Sequence, residues 1–211
     1  YERLTTYLGF LHSSDEYKIM ALASYGKPVL ANKMRSLIHI GKNGQYTIDE
    51  FDPEEYFGPS RQKGDPFTQY HFDIANSLQL VLEETVVKLI EWFHDETKEK
   101  NGCGAGGGAR NCVLNACIKK TNLFKNIYVQ PAAGDAGTAL GAALHTDAVE
   151  RNSHEKIFIM NHAYWGPDFS DNEIERFLKW CKIPYKKSKN VAKETAALLA
   201  QNKIIGWFQG K

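Results

Sequence analysis

Much of what this sequence can be is narrowed by what it does not contain. No run approaches the roughly 18 apolar residues of a membrane-spanning helix, so no membrane partner is expected. Its 26 basic and 25 acidic side chains leave a formal net charge of +1, which removes any global drive toward nucleic acid or an anionic membrane. Local runs such as Lys186-Lys187-Ser188-Lys189 read as a solvated face. Cys103, Cys112, Cys117 and Cys181 form no CxxC pair, which predicts reduced thiols in the cytoplasm rather than a zinc site. Internal repeats and low-complexity segments are absent, and no Ser-His or Cys-His arrangement suggests a nucleophile. The opening residues, Tyr1-Glu2-Arg3-Leu4, carry neither an initiating Met nor an apolar leader core, so the chain is expected to begin inside a longer protein.

What is present is an ordinary globular composition: 211 residues, 43% hydrophobic and 24% charged, enough for one domain or one domain and part of another. Leu4 to Phe10 alternate loosely and predict a strand ending at Gly9. Ser14 or Asp15 caps a predicted helix that Gly26 and Pro28 stop, with Ile19, Leu22 and Ala23 on its apolar face. Glu16 and Lys18 lie two apart, so they project differently and predict separate surface charges. Met34, Leu37 and Ile38 suit a short helix, and Gly44 to Ile48 a hairpin strand. From Gln69 to Lys100, Ile74, Leu78, Val81 or Leu82, Val86, Leu89 or Ile90 and Phe93 recur at helical spacing. A helix of about 25 to 30 residues would span roughly 40 Å and reads as core scaffolding. Further on, the polar run Asn152–Lys156 marks a candidate domain boundary. Ser170-Asp171-Asn172-Glu173 is a capping box opening a helix with Ile174, Phe177, Leu178 and Cys181 inward. Val191–Ala200 predicts another helix, and Ile204–Phe208 an apolar strand.

The stretch from Asn101 to Val149 organises the rest. Gly106-Gly107-Gly108-Ala109-Arg110-Asn111 precedes a helical run, the β-branched segment Ile127-Tyr128-Val129 follows, and Gln130-Pro131-Ala132-Ala133-Gly134-Asp135-Ala136-Gly137 opens a second, alanine-rich helix. A glycine run before a helix lets backbone N–H groups converge on an anion at the positive end of the helix dipole. It is not a Walker loop, since no Gly-Lys-Ser/Thr follows, and the GxGxxG fingerprint does not fit in register. A triple-glycine turn also serves as a plain tight connection. Asp135 has two readings: a helix N-cap, or a hard oxygen ligand for a divalent cation.

Five motifs occur in one order: Glu16–Pro28, the glycine loop Ala105–Asn111, Gln130–Gly137, Tyr164-Trp165-Gly166-Pro167 and Gly206-Trp207-Phe208-Gln209-Gly210. Together they resemble the O-carbamoyltransferases of the nodulation-factor and antibiotic-tailoring family. The resemblance implies an α/β, actin-like and sugar-kinase-like ATPase fold, in part, over residues 1–152, and the beginning of a YrdC-like α/β domain over 153–211. In that family the second domain makes carbamoyl-adenylate from carbamoyl phosphate and ATP. The actin-like domain then passes the carbamoyl group to a hydroxyl of a small sugar-containing or antibiotic-like acceptor. By this resemblance Asp135 is a catalytic metal ligand, for a divalent cation expected to be iron. Gly106, Gly107, Gly108 and Asn111 correspond to nucleotide contacts, and Glu16, Lys18 and Gly26 to the segment bordering the nucleotide.

Some positions depart from the family pattern. Its metal site also uses an HxxxH pair, whereas the seven histidines here (12, 39, 71, 94, 145, 154 and 162) include no two that are four apart. An apolar strand and a leucine usually flank the glycine loop, where this chain has Gly102-Cys103-Gly104 and Arg110. The chain stops at Gln209-Gly210-Lys211, where the family continues, so an internal fragment is expected. Alone it is expected to be inactive and to associate into oligomers through unpartnered apolar faces. A kinase or hydrolase on the same phosphate loop, or a non-catalytic nucleotide-binding domain, is the alternative reading.

Overall fold

A computed structural model describes residues 1–153, 155 and 159–211, and the chain divides into two compact units, Tyr1–Ser153 and His154–Lys211. In the first unit, α1 (Glu2–Tyr7), α2 (Glu16–Leu22), α3 (Ala31–Arg35) and α4 (Pro53–Phe57) gather around α5, a helix of 29 residues from Gln69 to Thr97. Leu4, Leu8, Ile19, Met34, Phe57, Ile74 and Val81 share one buried cluster. Burying each such side chain contributes about 1.5–3 kcal/mol, so the core lies against the first half of α5. The Leu4–Phe10 stretch is no strand: it is helical through Tyr7 and then turns at Leu8 and Gly9. Leu4, Tyr7 and Leu8 fall at i, i+3 and i+4, which puts all three on the face that α1 buries.

Helix α5 begins where its sequence pattern begins. The Thr68 backbone N–H donates to Nδ1 of His71 at 3.0 Å, and Lys98 ends the helix in the left-handed conformation at φ +54°. Strands β1 (Ile38–Ile40) and β2 (Tyr46–Ile48) form the expected hairpin, pairing Ile38 with Ile48. Ile38 thus belongs to a strand and not to the preceding helix. After α5 come β3 (Asn101–Gly104), α6 (Cys112–Lys120), β4 (Asn126–Val129) and α7 (Thr138–Glu150). The glycine-rich β3 is a strand despite its weak propensity, because it pairs in parallel with β4, Gly102 opposite Ile127 and Gly104 opposite Val129. The Phe124 ring lies where a side chain on Gly102 would stand, 3.2 Å from its ideal Cβ.

The second unit contains α8 (Asp171–Trp180) and α9 (Val191–Ala200). The capping box forms as expected: Ser170 N–H donates to Glu173 Oε2 at 2.8 Å, and Glu173 N–H to Ser170 Oγ at 3.3 Å. Ile174 and Phe177, expected to point inward, are 47% and 58% exposed. The expected strand Ile204–Phe208 has no regular secondary structure and no β-partner among the described residues; Ile204 is fully exposed, and a strand without a neighbour has nothing to bond its backbone. Of the polar run proposed as a boundary, His154 and Lys156 lie outside the described residues. Among the described residues no helix is long and apolar enough to cross a membrane.

Candidate functional site

Because β3 and β4 are parallel, both glycine-rich turns leave the same end of the two-stranded sheet. Ligand crevices of α/β folds lie at the carboxyl ends of parallel strands. The Gly106 N–H donates to the Ala133 carbonyl at 2.7 Å and ties the two turns side by side. Gly106 has φ +87°, which glycine adopts without strain. Gly107 and Gly108 open a 3₁₀ turn, Gly107–Arg110; their N–H groups find no protein partner among the described residues. A Cβ on either would meet nothing within 4 Å. The protein itself does not demand glycine there, so the unfilled space is available to an approaching group. Arg110 leans over the second turn, its Cδ 3.0 Å and its guanidinium Nη1 3.4 Å from where a Cβ on Gly134 would lie, which adds a guanidinium between the two turns.

In the second turn, Asp135 heads a 3₁₀ turn, Asp135–Gly137, and is exposed. Its side chain caps nothing: the cap positions of this turn and of α7 are Gly134 and Gly137, and neither receives a side-chain bond. The Thr138 hydroxyl donates instead to the Asp135 carbonyl at 2.6 Å. A Cβ on Gly137 would lie 2.0 Å from the Ala132 carbonyl oxygen, so glycine is required for the turn to close. Asp135 thus presents a free carboxylate, a donor that fits one coordination position of a hard cation. Among the described residues no group of three His, Cys, Asp or Glu surrounds any point, so further ligands are not supplied here.

Asn111 is fully engaged. Its Oδ1 accepts from Leu114 N–H at 2.9 Å, capping α6, and its side-chain amide pairs with that of Gln79 on α5. The α2 residues have separate surroundings. Glu16 Oε1 is buried without a hydrogen-bond partner. Lys18 is held by Asp15 at 2.9 Å rather than by Glu16, and this bond raises the lysine pKa while lowering that of Asp15. Gly26 is glycine for packing: a Cβ there would lie 1.9 Å from the Phe72 carbonyl oxygen on α5.

Helix α2 does reach the glycine turn, with Met20 Sδ 3.8 Å from Cys112 Sγ at the start of α6. It does so through residues the motif reading passed over. A cleft of about 270 Å³ is lined by Met20, Ala23 and Ser24, by Asn76, Gln79 and Glu83 of α5, and by Val113 of α6. Glu16, Lys18 and Gly26 do not line it. The missed signal was a polar stripe at helical spacing, Asp73, Asn76, Gln79 and Glu83, inside an apolar pattern. Asp73 Oδ1 accepts from Lys27 N–H at 2.8 Å, and Asn76 Nδ2 donates to the Ala23 carbonyl at 2.9 Å.

The family described as carbamoyltransferase N-terminus matches residues 1–144, from α1 into α7, both glycine turns included. This chain belongs to that family. Among its relatives, nodulation protein NolNO of Sinorhizobium fredii is 37% identical over 97% of the chain and 31% of its own length. Nodulation protein NolO of Bradyrhizobium diazoefficiens is 35% identical over 93% of the chain and 37% of its own length. An uncharacterized Synechocystis protein, sll1178, is 36% identical over the whole chain and 38% of its own length. The chain thus spans between 31% and 38% of these relatives.

Proposed function

We propose that the chain forms part of an ATP-dependent O-carbamoyltransferase, with the paired glycine turns holding the nucleotide phosphate. The observation that carries this reading is the pairing itself: the Gly106–Ala133 bond sets two turns together at the carboxyl ends of parallel strands, leaving the amides of Gly107 and Gly108 open. Convergent backbone N–H groups and a nearby guanidinium suit a phosphate. The adjoining cleft, with apolar walls from Met20, Ala23 and Val113 and polar groups from Asn76, Gln79 and Glu83, suits the remainder of the nucleotide. Family membership supports carbamoyl transfer in general; in this proposal the group passes from carbamoyl phosphate, by way of carbamoyl-adenylate, to a hydroxyl of a sugar-containing or antibiotic-like acceptor.

In this reading the first unit is part of an actin-like transfer domain and the second begins a YrdC-like, adenylate-forming domain, working in the cytoplasm. Asp135 contributes one ligand to a divalent cation, iron in this proposal. When bound, the cation supplies a Lewis acid for the carbonyl oxygen on which charge develops. The chain's own residues do the positioning: Gly107 and Gly108 hold the phosphate, and the rigid turn fixes Asp135 beside it.

The test uses the full-length protein. Acceptor hydroxyls incubated with carbamoyl phosphate and ATP should gain a carbamoyl group with release of AMP. Gly107→Val, which the open backbone tolerates, should leave melting unchanged and lower ATP-analogue affinity by about tenfold or more, since bulk enters the phosphate space. Release of ADP with phosphorylated acceptor would instead indicate a kinase. Unchanged nucleotide affinity in folded Gly107→Val would place the phosphate elsewhere.

A further inference from the structure

Gln79 is one of three buried polar side chains among the described residues, 5% exposed on a helix that also buries Ile74, Ala75, Ser77 and Val81. A buried amide is costly unless its hydrogen bonds are met, and here they are met toward the glycine turn. Asn111 Nδ2 donates to Gln79 Oε1 at 2.9 Å, and Gln79 Nε2 donates back to Asn111 Oδ1 at 3.2 Å. The Tyr1 hydroxyl donates to the same Oε1 at 3.1 Å, and Gln79 Nε2 also donates to Glu83 Oε1 at 2.7 Å. Asn111 is the last residue of the open turn and the first cap of α6. Its own N–H donates to the Gly108 carbonyl at 3.0 Å, and its Oδ1 caps Leu114. One reciprocal amide pair therefore joins the end of the phosphate turn to the middle of the scaffold helix.

The same stripe of α5 holds the other wall of the cleft, through Asn76 on the Ala23 carbonyl and Asp73 on the Lys27 amide. Both walls are referenced to one rigid helix over less than three turns. We infer that Gln79 is a positioning residue: it fixes the glycine turn at the height and angle that its open amides need relative to the α2 wall. This rests on the nucleotide reading above for its function, though the clamp itself does not. Without the pair, the turn would be anchored to the second glycine-rich turn through the Gly106–Ala133 bond, but not by a side-chain bond to the helix that carries the opposite wall.

Gln79→Met in the full-length protein keeps side-chain length while removing both bonds to Asn111. Amide hydrogen exchange, without nucleotide, should then rise by about tenfold at Asn111 and Leu114 while the centre of α5 stays protected. Adding the non-hydrolysable analogue AMP-PNP should protect residues 106–111 in the unaltered protein, at concentrations several-fold lower than in Gln79→Met. If Gln79→Met does not fold, Asn111→Asp asks the same question from the other side, because aspartate caps α6 as well as asparagine but donates nothing to Gln79. Exchange at Asn111 and Leu114 left unchanged by these substitutions would overturn the clamp. Loosened exchange with unaltered AMP-PNP protection would leave Gln79 a structural tie and overturn its positioning role. Absence of AMP-PNP protection at this turn in the unaltered protein would overturn that role together with the nucleotide reading, while the apo exchange still decides the clamp.

Discussion

Residues 1–97 and residues 101–150 of the first unit solve different problems. The earlier region surrounds half of α5 with a shared core in which Leu8, Ile19 and Ile74 have no exposure. The later region holds both glycine turns, yet Leu114 and Ala133 are the hydrophobic residues recorded as buried within it. Its order comes from bonds to specific partners: the β3–β4 pairing, Gly106 to Ala133, and Asn111 to Gln79. One region is stabilised by area, the other by a few directed contacts that leave the turns open. Turns built this way keep their amides accessible while borrowing rigidity from a packed scaffold.

The largest expected effect tests that division directly. Ile74→Ala removes a fully buried side chain from the core and should cost about 2–5 kcal/mol by denaturant unfolding. Ile127→Ala in β4, where the side chain is half-buried, should cost under about 1 kcal/mol. Equal losses would mean that the later region owns a core of its own, and the contrast would fail.

The same contrast explains what was legible in the sequence. Area-driven structure leaves periodicity behind, so α5 could be read nearly to the residue from Ile74, Leu78, Val81 and their successors. The α1 error came from seven residues whose apolar positions were weighed as alternation, when Leu4, Tyr7 and Leu8 carried the helical spacing. Directed contacts leave almost no local trace. Nothing in Gly102-Cys103-Gly104 advertises a strand, because its reason is β4 beside it and the Phe124 ring over it. Glycines and Asp135 marked the turns by type, but the pairing of those turns and the Gln79 clamp join residues about 30 positions apart. The strand expected at Ile204–Phe208 failed for the matching reason: composition favoured it, and no neighbour completed it.

A smaller effect sharpens the comparison with pH. Burial, and then the charge of Arg61, lower the His71 pKa from its ordinary 6.5, with Asp65 opposing. Its Nδ1 must be unprotonated to accept from Thr68 N–H at the start of α5. A depressed folded-state pKa means that the unfolded chain takes up the proton first, so this stability is present above about pH 6.5 and is lost as pH falls through the folded value. Melting temperature should therefore decline below that pH, with exchange rising first at the opening turn of α5. His71→Gln, which also suits the third position of a capping box, should flatten the decline. A pH profile unaltered by His71→Gln would assign the acid sensitivity to other groups.

The smallest expected effect on stability belongs to the residue expected to matter most for chemistry. Asp135 is exposed and its side chain caps no helix, so nothing in the packing depends on its charge. Asp135→Asn keeps shape and changes only the donor, and exposed substitutions of this kind stay within about 0.5 kcal/mol. If Asp135 served as a cap, asparagine would serve as well, and both stability and activity would persist. If it ligates a cation, the neutral amide is a much weaker donor for a hard ion. The full-length Asp135→Asn protein should melt like its parent in the absence of metal, bind less metal by elemental analysis, and transfer no carbamoyl group. Carbamoyl-adenylate formation with release of pyrophosphate, which the proposed function gives to the other domain, should continue. Full metal content together with normal transfer in that variant would remove Asp135 from the chemistry and leave the glycine turns as an anion site alone.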